Sequence, residues 1–252
     1  MDKPRRTLLA AAVAAVLAPL AAWAGPDVQE SAFWKQEVDL GNLPAAADRL
    51  PTEPLVVDLA AHGRDYGVQG GVLNTMVTRS KDIRQMVVYG YARLIGYGED
   101  YTLQPDILLG FENEENRKFT FRLRPGHKWS NGDPFTAEDF RYWWEDVAQN
   151  KLLNPAGPPD LMLVEGELPQ VSYPDETTVI FEWAHPNPSF LQSLAQARPP
   201  FIYRPSAFLE RYHEKYADPA DLAGEVDYAR DKSWAALHNR RDNMYKFDNH
   251  EL

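Results

Sequence analysis

Phe119, Phe121 and Leu123 alternate with Thr120, Arg122 and Arg124, the two-residue period of a half-buried strand. Pro125-Gly126 and Ser130-Asn131-Gly132-Asp133-Pro134 follow as turns, because glycine accepts positive φ and proline fixes its own φ. The period then changes to that of a helix. Thr136 is placed to cap it and Asp139 to acidify its first turn, while Phe135 and Phe140 have the spacing of a hydrophobic staple. Phe140, Trp144 and Val147 form one predicted helix face with Trp143 beside it; core packing is expected of Tyr142-Trp143-Trp144, with a solvent- or partner-facing Tyr142 as the alternative because it points away from the Trp144 face.

Elsewhere the pattern is less regular. Leu55-Val56-Val57-Asp58-Leu59 has the short apolar character of a buried strand, and the four glycines within 62–71 predict a loop. Ile83, Met86, Val87 and Tyr91 lie at helical spacing within Lys81–Tyr91. Leu153–Pro169 is rich in proline and glycine and predicts an irregular excursion. A turn at Pro174-Asp175 leads into a strand carrying Val179, Phe181 and Trp183. Helices are expected from Asn187-Pro188 to about Ala197, from Pro205-Ser206 through Tyr216, and over Ser233–Arg240. Interspersed strands and helices predict an α/β or α+β fold, without internal repeats.

Length, 252 residues, allows one large domain or two small ones. With 44% hydrophobic and 25% charged residues the chain is too apolar to be disordered. A net charge of -11 argues against nucleic acid as a partner, since a phosphate backbone is bound through a basic face. The absence of cysteine excludes disulfides, thiolate metal sites, cysteine nucleophiles and cysteine lipidation.

The N-terminus changes the picture further. Lys3, Arg5 and Arg6 precede an apolar run from Leu8 to Leu20, and Ala22-Trp23-Ala24 follows. Two readings are open, a secretory signal cleaved after Ala24 and an uncleaved anchor; Pro19 and the small-residue exit favour the signal. Arg5-Arg6-Thr7-Leu8-Leu9 is compatible with both the twin-arginine and the ordinary secretory route. A periplasmic location is expected.

Chemistry-bearing motifs are sparse. No Gly-x-Ser-x-Gly elbow or phosphate loop is present, and Gly96-Tyr97-Gly98 lacks the third glycine of a dinucleotide fingerprint. No histidine lies four residues from another, and His213-Glu214 reads as part of a solvated helix face. Glu112, Glu114, Glu115, Glu138, Glu145 and Asp146 read as solvated surface, with Asp139 already used at a helix start. No catalytic residue, metal ligand or cofactor is expected, and the balance tips from catalysis towards binding.

The segment Phe119–Phe140 closely resembles the signature of the extracytoplasmic solute-binding proteins of family 5, the oligopeptide, dipeptide and nickel type that serves ABC importers. The family pattern is an aromatic-Thr-Phe-x-Leu-Arg strand, then Gly-x-Lys-aromatic-x-(Asp or Asn)-Gly-x-Pro, then Thr-Ala-(Glu or Gln)-Asp. It is matched by Phe119–Arg124, Gly126–Pro134 and Thr136–Asp139. Leu103–Leu108 and Pro174–Val179 resemble the segments on either side. By resemblance the fold is a periplasmic-binding-protein-like clamp of the large peptide-binding type, of which this chain holds the first lobe. Residues 25–80 begin the lobe's core, 81–204 form an inserted subdomain, and 205–252 return to the core.

The resemblance implies capture of a small solute, an oligopeptide or dipeptide foremost, and delivery to an inner-membrane permease by a monomer. Family members continue into a hinge and second lobe, where the acidic anchor for a peptide amino group lies, so this chain is expected to be an N-terminal part. Its share of the cleft is expected at the loop 76–81, with Thr78, Arg79 and Ser80 facing the ligand and 153–158 opposite. An interlobe face left bare should expose apolar surface. Two other classes stay open: a secreted carbohydrate-active enzyme using an acid pair, and a periplasmic interaction or chaperone-like protein.

Overall fold

The computed structural model describes residues 28–68, 70–79, 82 and 92–243. The expected signal sequence 1–24, Ser80 and the helix expected over 81–91, apart from Asp82, lie outside the described residues. Two short helices, α1 (Lys35–Asp39) and α2 (Ala46–Arg49), open the described chain. A hairpin of β1 (Ile95–Tyr97) and β2 (Leu103–Pro105) precedes a four-stranded antiparallel sheet. Its strands are β3 (Leu108–Glu114), β4 (Lys118–Leu123), β5 (Gln170–Asp175) and β6 (Thr178–Glu182), in the order β3-β4-β6-β5. Register shifts interrupt β3 between Leu108 and Gly110 and β5 between Ser172 and Asp175.

The alternation of β4 is realised: Phe119, Phe121 and Leu123 are buried, and Phe119 pairs with Phe181 and Phe121 with Val179 on β6. Thr120 is buried too, because β4 lies inside the sheet between Glu112 and Ile180 of its neighbours. The helix α4 (Phe190–Ala195) covers this apolar face through Phe190, whose ring lies 5.1 Å from Phe119, 4.8 Å from Trp183 and stacked 5.9 Å from Phe121. The expected start of that helix moves from Asn187 to Ser189, because buried Asn187 instead donates to the carbonyl of Leu161.

The signature turn leads into α3 (Ala137–Arg141) with the predicted cap. Thr136 Oγ1 accepts the N–H of Glu138 and Asp139 Oδ2 accepts that of Thr136, while the Phe135 and Phe140 rings meet at 5.7 Å. From Tyr142 to Ala148 the helix continues as a π-helix. The wider i→i+5 winding turns residues off their α-helical faces, and Tyr142, whose solvent- or partner-facing position was the minor alternative to core packing, is fully buried with its hydroxyl 2.7 Å from His238 Nε2.

Beyond the irregular excursion, α5 (Ser206–Leu209) passes into a 3₁₀ turn and ends at Tyr212, short of the expected Tyr216. The helices α6 (Pro219–Ala229), capped by Asp218, and α7 (Trp234–Arg241), capped by Ser233, complete the described chain. No helix among the described residues is long and apolar enough to cross a membrane.

Candidate functional site

Residues 28–54 are fastened onto the signature turn. Arg49 holds both carboxylate oxygens of Glu30 at 2.7 Å, and Thr52 donates its N–H to Pro125 at 2.8 Å. Buried Arg124 donates to the carbonyls of Glu53 at 2.7 Å and Asp106 at 3.2 Å. Gly126 has φ +72, and a Cβ there would lie 3.1 Å from Thr52 Oγ1, so the turn requires glycine for its backbone and its neighbour alike.

After this anchorage the chain leaves the body as a strap over 55–79. Its regular element is the 3₁₀ turn Ala60–His62, closed by Asp58 accepting the N–H of Ala61 at 3.0 Å. Leu55–Leu59, expected to be a buried strand, forms no strand here: the described residues give it no ladder partner, and Leu55, Val56 and Val57 are exposed. Arg64, 2.6 Å from Glu99, and His62, 3.5 Å from the same carboxylate, tie the strap to the β1–β2 hairpin.

The strap shows solvent an apolar run that a folded surface rarely presents. Tyr66, Val68, Val72, Leu73 and Met76 are all at least 70% exposed, with Val68 and Met76 at 97%. Residues 66–78 carry no formal charge, and Asn74, Thr75 and Thr78 supply their polar groups beside Gln69. Tyr97 and Tyr101 of the neighbouring hairpin are likewise exposed. Where Leu55 meets that hairpin, a recess of about 510 Å³ is lined by Arg93, Tyr97, Gln104, Asp106 and Ala195, among others.

Thr78 and Arg79, expected to face a ligand, lie exposed at the end of the strap; Ser80 falls outside the described residues. The N–H of Arg79 donates to Asp82 Oδ2 at 3.0 Å and its carbonyl accepts the N–H of Asp82, so a small turn closes the strap. The segment 153–158, expected opposite, is held by contacts of its own. Asn154 donates to the carbonyl of Ala148 and Asn239 to that of Leu153, whereas no described hydrogen bond or ion pair joins it to the strap. The apolar residues of the strap were absent from the sequence-based site; their signal was an uncharged run containing valine, leucine and methionine inside a glycine-rich loop.

Two groups assigned to solvent from the sequence are buried. Asp146 is contacted by Lys215 at 2.7 Å, Arg141 at 2.8 Å and the Tyr216 hydroxyl at 2.6 Å. Burial pushes its carboxyl up, but the hydrogen bonds from Lys215, Tyr216 and Arg141 outweigh it and hold the group below the usual range. His213 lies inside because the chain is extended there rather than helical, which turns its ring towards Asp146. Among the described residues, no three His, Asp or Glu side chains are grouped to hold a metal ion.

Residues 102–236 match the family described as bacterial extracellular solute-binding proteins, family 5 Middle. The periplasmic alpha-galactoside-binding protein of Rhizobium meliloti is 29% identical over 205 residues, 71% of this chain and 28% of that protein. The periplasmic oligopeptide-binding protein OppA of Escherichia coli is 28% identical over 144 residues, 52% of this chain and 26% of that protein. Among solved structures, an oligopeptide-binding protein OppA aligns with TM-score 0.75 and 27% identity over 88% of this chain and 34% of that one. The periplasmic binding protein MelB of Agrobacterium fabrum C58, solved with stachyose, shares the fold with TM-score 0.56 and 22% identity, over 81% of this chain and 33% of that one. The chain therefore spans between 26% and 34% of the length of these relatives.

Proposed function

Because the chain belongs to the bacterial extracellular solute-binding proteins of family 5, matched over residues 102–236, we propose that it acts in the periplasm as part of the substrate-binding component of an ABC importer. The observation that carries this reading is the exposed, apolar run 66–78 of the strap, which lacks formal charge and which Arg64 ties to the β1–β2 hairpin. A surface of this kind binds by burial against a second wall and not by covalent chemistry. The relatives are binding proteins, which supports a role without catalysis. In this reading residues 25–80 begin the lobe's core, 81–204 form its inserted subdomain and the chain from 205 returns to the core. Thr78, Arg79 and Ser80 border the solute, and the permease is the macromolecular partner.

A peptide-like solute is the first reading, in keeping with the oligopeptide-binding relative. A neutral galactoside is the second. It is favoured by the lack of formal charge over 66–78, by exposed Tyr66, Tyr97 and Tyr101 suited to stacking on sugar rings, and by the alpha-galactoside-binding relative, which matches 71% of this chain.

Backbone chemical shifts recorded during additions of a tripeptide and of stachyose test the reading. Shifts confined to the strap and the β1–β2 hairpin, produced by one solute and not the other, are expected and identify the class. Shifts scattered over the sheet, or none with either solute at millimolar concentration, overturn the strap as the solute face.

A further inference from the structure

The helix α7 is joined to the body through two fully buried side chains, Leu237 and His238. One of the two is titratable. His238 Nε2 lies 2.7 Å from the Tyr142 hydroxyl on the π-helix, and its Nδ1 is buried with no hydrogen-bond partner. The His213 ring stands edge-on to it at 5.8 Å, and Trp234 packs edge-on against both rings, 4.8 Å from His213 and 6.4 Å from His238. His213 Nδ1 accepts the N–H of Lys215 at 3.1 Å, so its proton sits on Nε2, which faces the carbonyl of Asp146 at 3.2 Å.

The charged groups around the pair offer no partner for a second proton. On the π-helix, Asp146 is already shared among Arg141, Lys215 and Tyr216. At the end of α7, Asp242 is paired with Arg204, and Arg204 itself opposes positive charge on His238. Glu210 and Glu214 lie on the neighbouring turn, where Glu214 acts on His213 and not on the buried Nδ1 of His238. The last turn of α7 also borders a cavity of about 340 Å³, lined by Trp143, Val147, Phe201, Arg204, Asn239 and Asp242 among others.

We infer that this joint is an acid-sensitive clasp, in which protonation of His238 releases α7 from the π-helix. An imidazolium here would place an unpaired N–H and a positive charge in a buried site beside His213 and Arg204. Burial, then the neighbouring His213 and Arg204, hold His238 at about 3, and burial also depresses His213. Once detached, a histidine titrates near ~6.5. The closed joint binds fewer protons than the open one, so it is fully closed above that value and weakens as pH falls towards the closed-state value.

Hydrogen exchange of the full chain between pH 7.5 and 5, corrected for intrinsic rates, tests the clasp. The opening of α7 should rise by about tenfold per pH unit below about 6.5, one proton's worth, with β4 and β6 unchanged as an internal control. His238→Gln keeps a hydrogen-bonding side chain towards Tyr142 and should flatten that slope. Protection of α7 that changes only in step with the sheet, or a slope as steep in His238→Gln as in the native chain, overturns the clasp. Should the variant fail to fold, imidazole ¹⁵N shifts of the native protein decide. Titration of His238 near 6.5 while α7 stays protected is the overturning result, and titration only together with α7 release is the expected one.

Discussion

The carboxylate oxygen Asp139 Oδ1 accepts both the backbone N–H and the hydroxyl of Ser206, each at 2.9 Å, across 67 residues of sequence. Its other oxygen accepts the Thr136 N–H at 2.9 Å and the Trp129 indole N–H at 3.1 Å, and the Arg204 N–H reaches the Asp139 carbonyl at 3.0 Å. One side chain thus closes the helix cap, fixes the signature turn and holds the returning chain. Burial pushes its pKa up despite these bonds.

Asp139→Asn keeps the shape but places an amide where a second acceptor is needed, facing two donors. It should destabilise the fold by about 2–4 kcal/mol, the cost of buried donors left without a charged acceptor. Ser206→Ala, which removes one donor and leaves the rest, should cost about 1 kcal/mol. Urea unfolding followed by tryptophan fluorescence checks both, and equal losses in the two variants would contradict a hub at Asp139.

Asp146 makes a separable acid response. Its folded-state pKa is depressed, so its contribution is present above the unfolded value of about 3.9 and is lost as pH falls through the lower folded value. Asp146→Asn should remove this part of the pH dependence below about 4 and leave the response above about 4, to which the buried histidines and the raised carboxyls of Asp139 and Glu210 contribute. Unfolding midpoints measured at closely spaced pH values resolve the two windows. A variant whose curve stays parallel to the native one would show that Asp146 is not the group responsible.

Substituting the strap separates surface from stability. Leu73→Ser with Met76→Thr alters side chains at least 80% exposed, so the change in unfolding free energy should stay within about 0.5 kcal/mol. Self-association seen by sedimentation velocity should fall at the same time. A loss of several kcal/mol would mean that these residues are buried in solution.

Local chemistry was legible and long-range chemistry was not. The Thr136 cap and the Phe135–Phe140 staple span a few residues and are written in a contiguous motif, so they were readable in advance. Asp139 was read only as a first-turn acid, because its tie to Ser206 depends on where the chain returns. The face of Tyr142 could not be fixed from an α-helical period, since the segment winds as a π-helix. The helix α6 was missed although Asp218-Pro219 is a cap followed by proline at the first helical position, because its apolar stripe is only Leu222, Val226 and Ala229, of which Leu222 is buried. For the candidate site the loop containing Thr78 and Arg79 was singled out, but the exposure of Val68, Val72 and Met76 was not. Short apolar runs look the same in sequence whether a second wall covers them or not.

The two register shifts in the four-stranded sheet bear on how copies of this chain can meet. They fall on β3 and β5, the outer strands; β3 also carries Glu112 and Glu114, and β5 carries Pro174. A kinked, charged or proline-bearing rim is a poor template for an incoming strand. Clumping through the greasy strap would therefore remain a side-chain affair, reversible on dilution, and would not seed a growing cross-strand fibre.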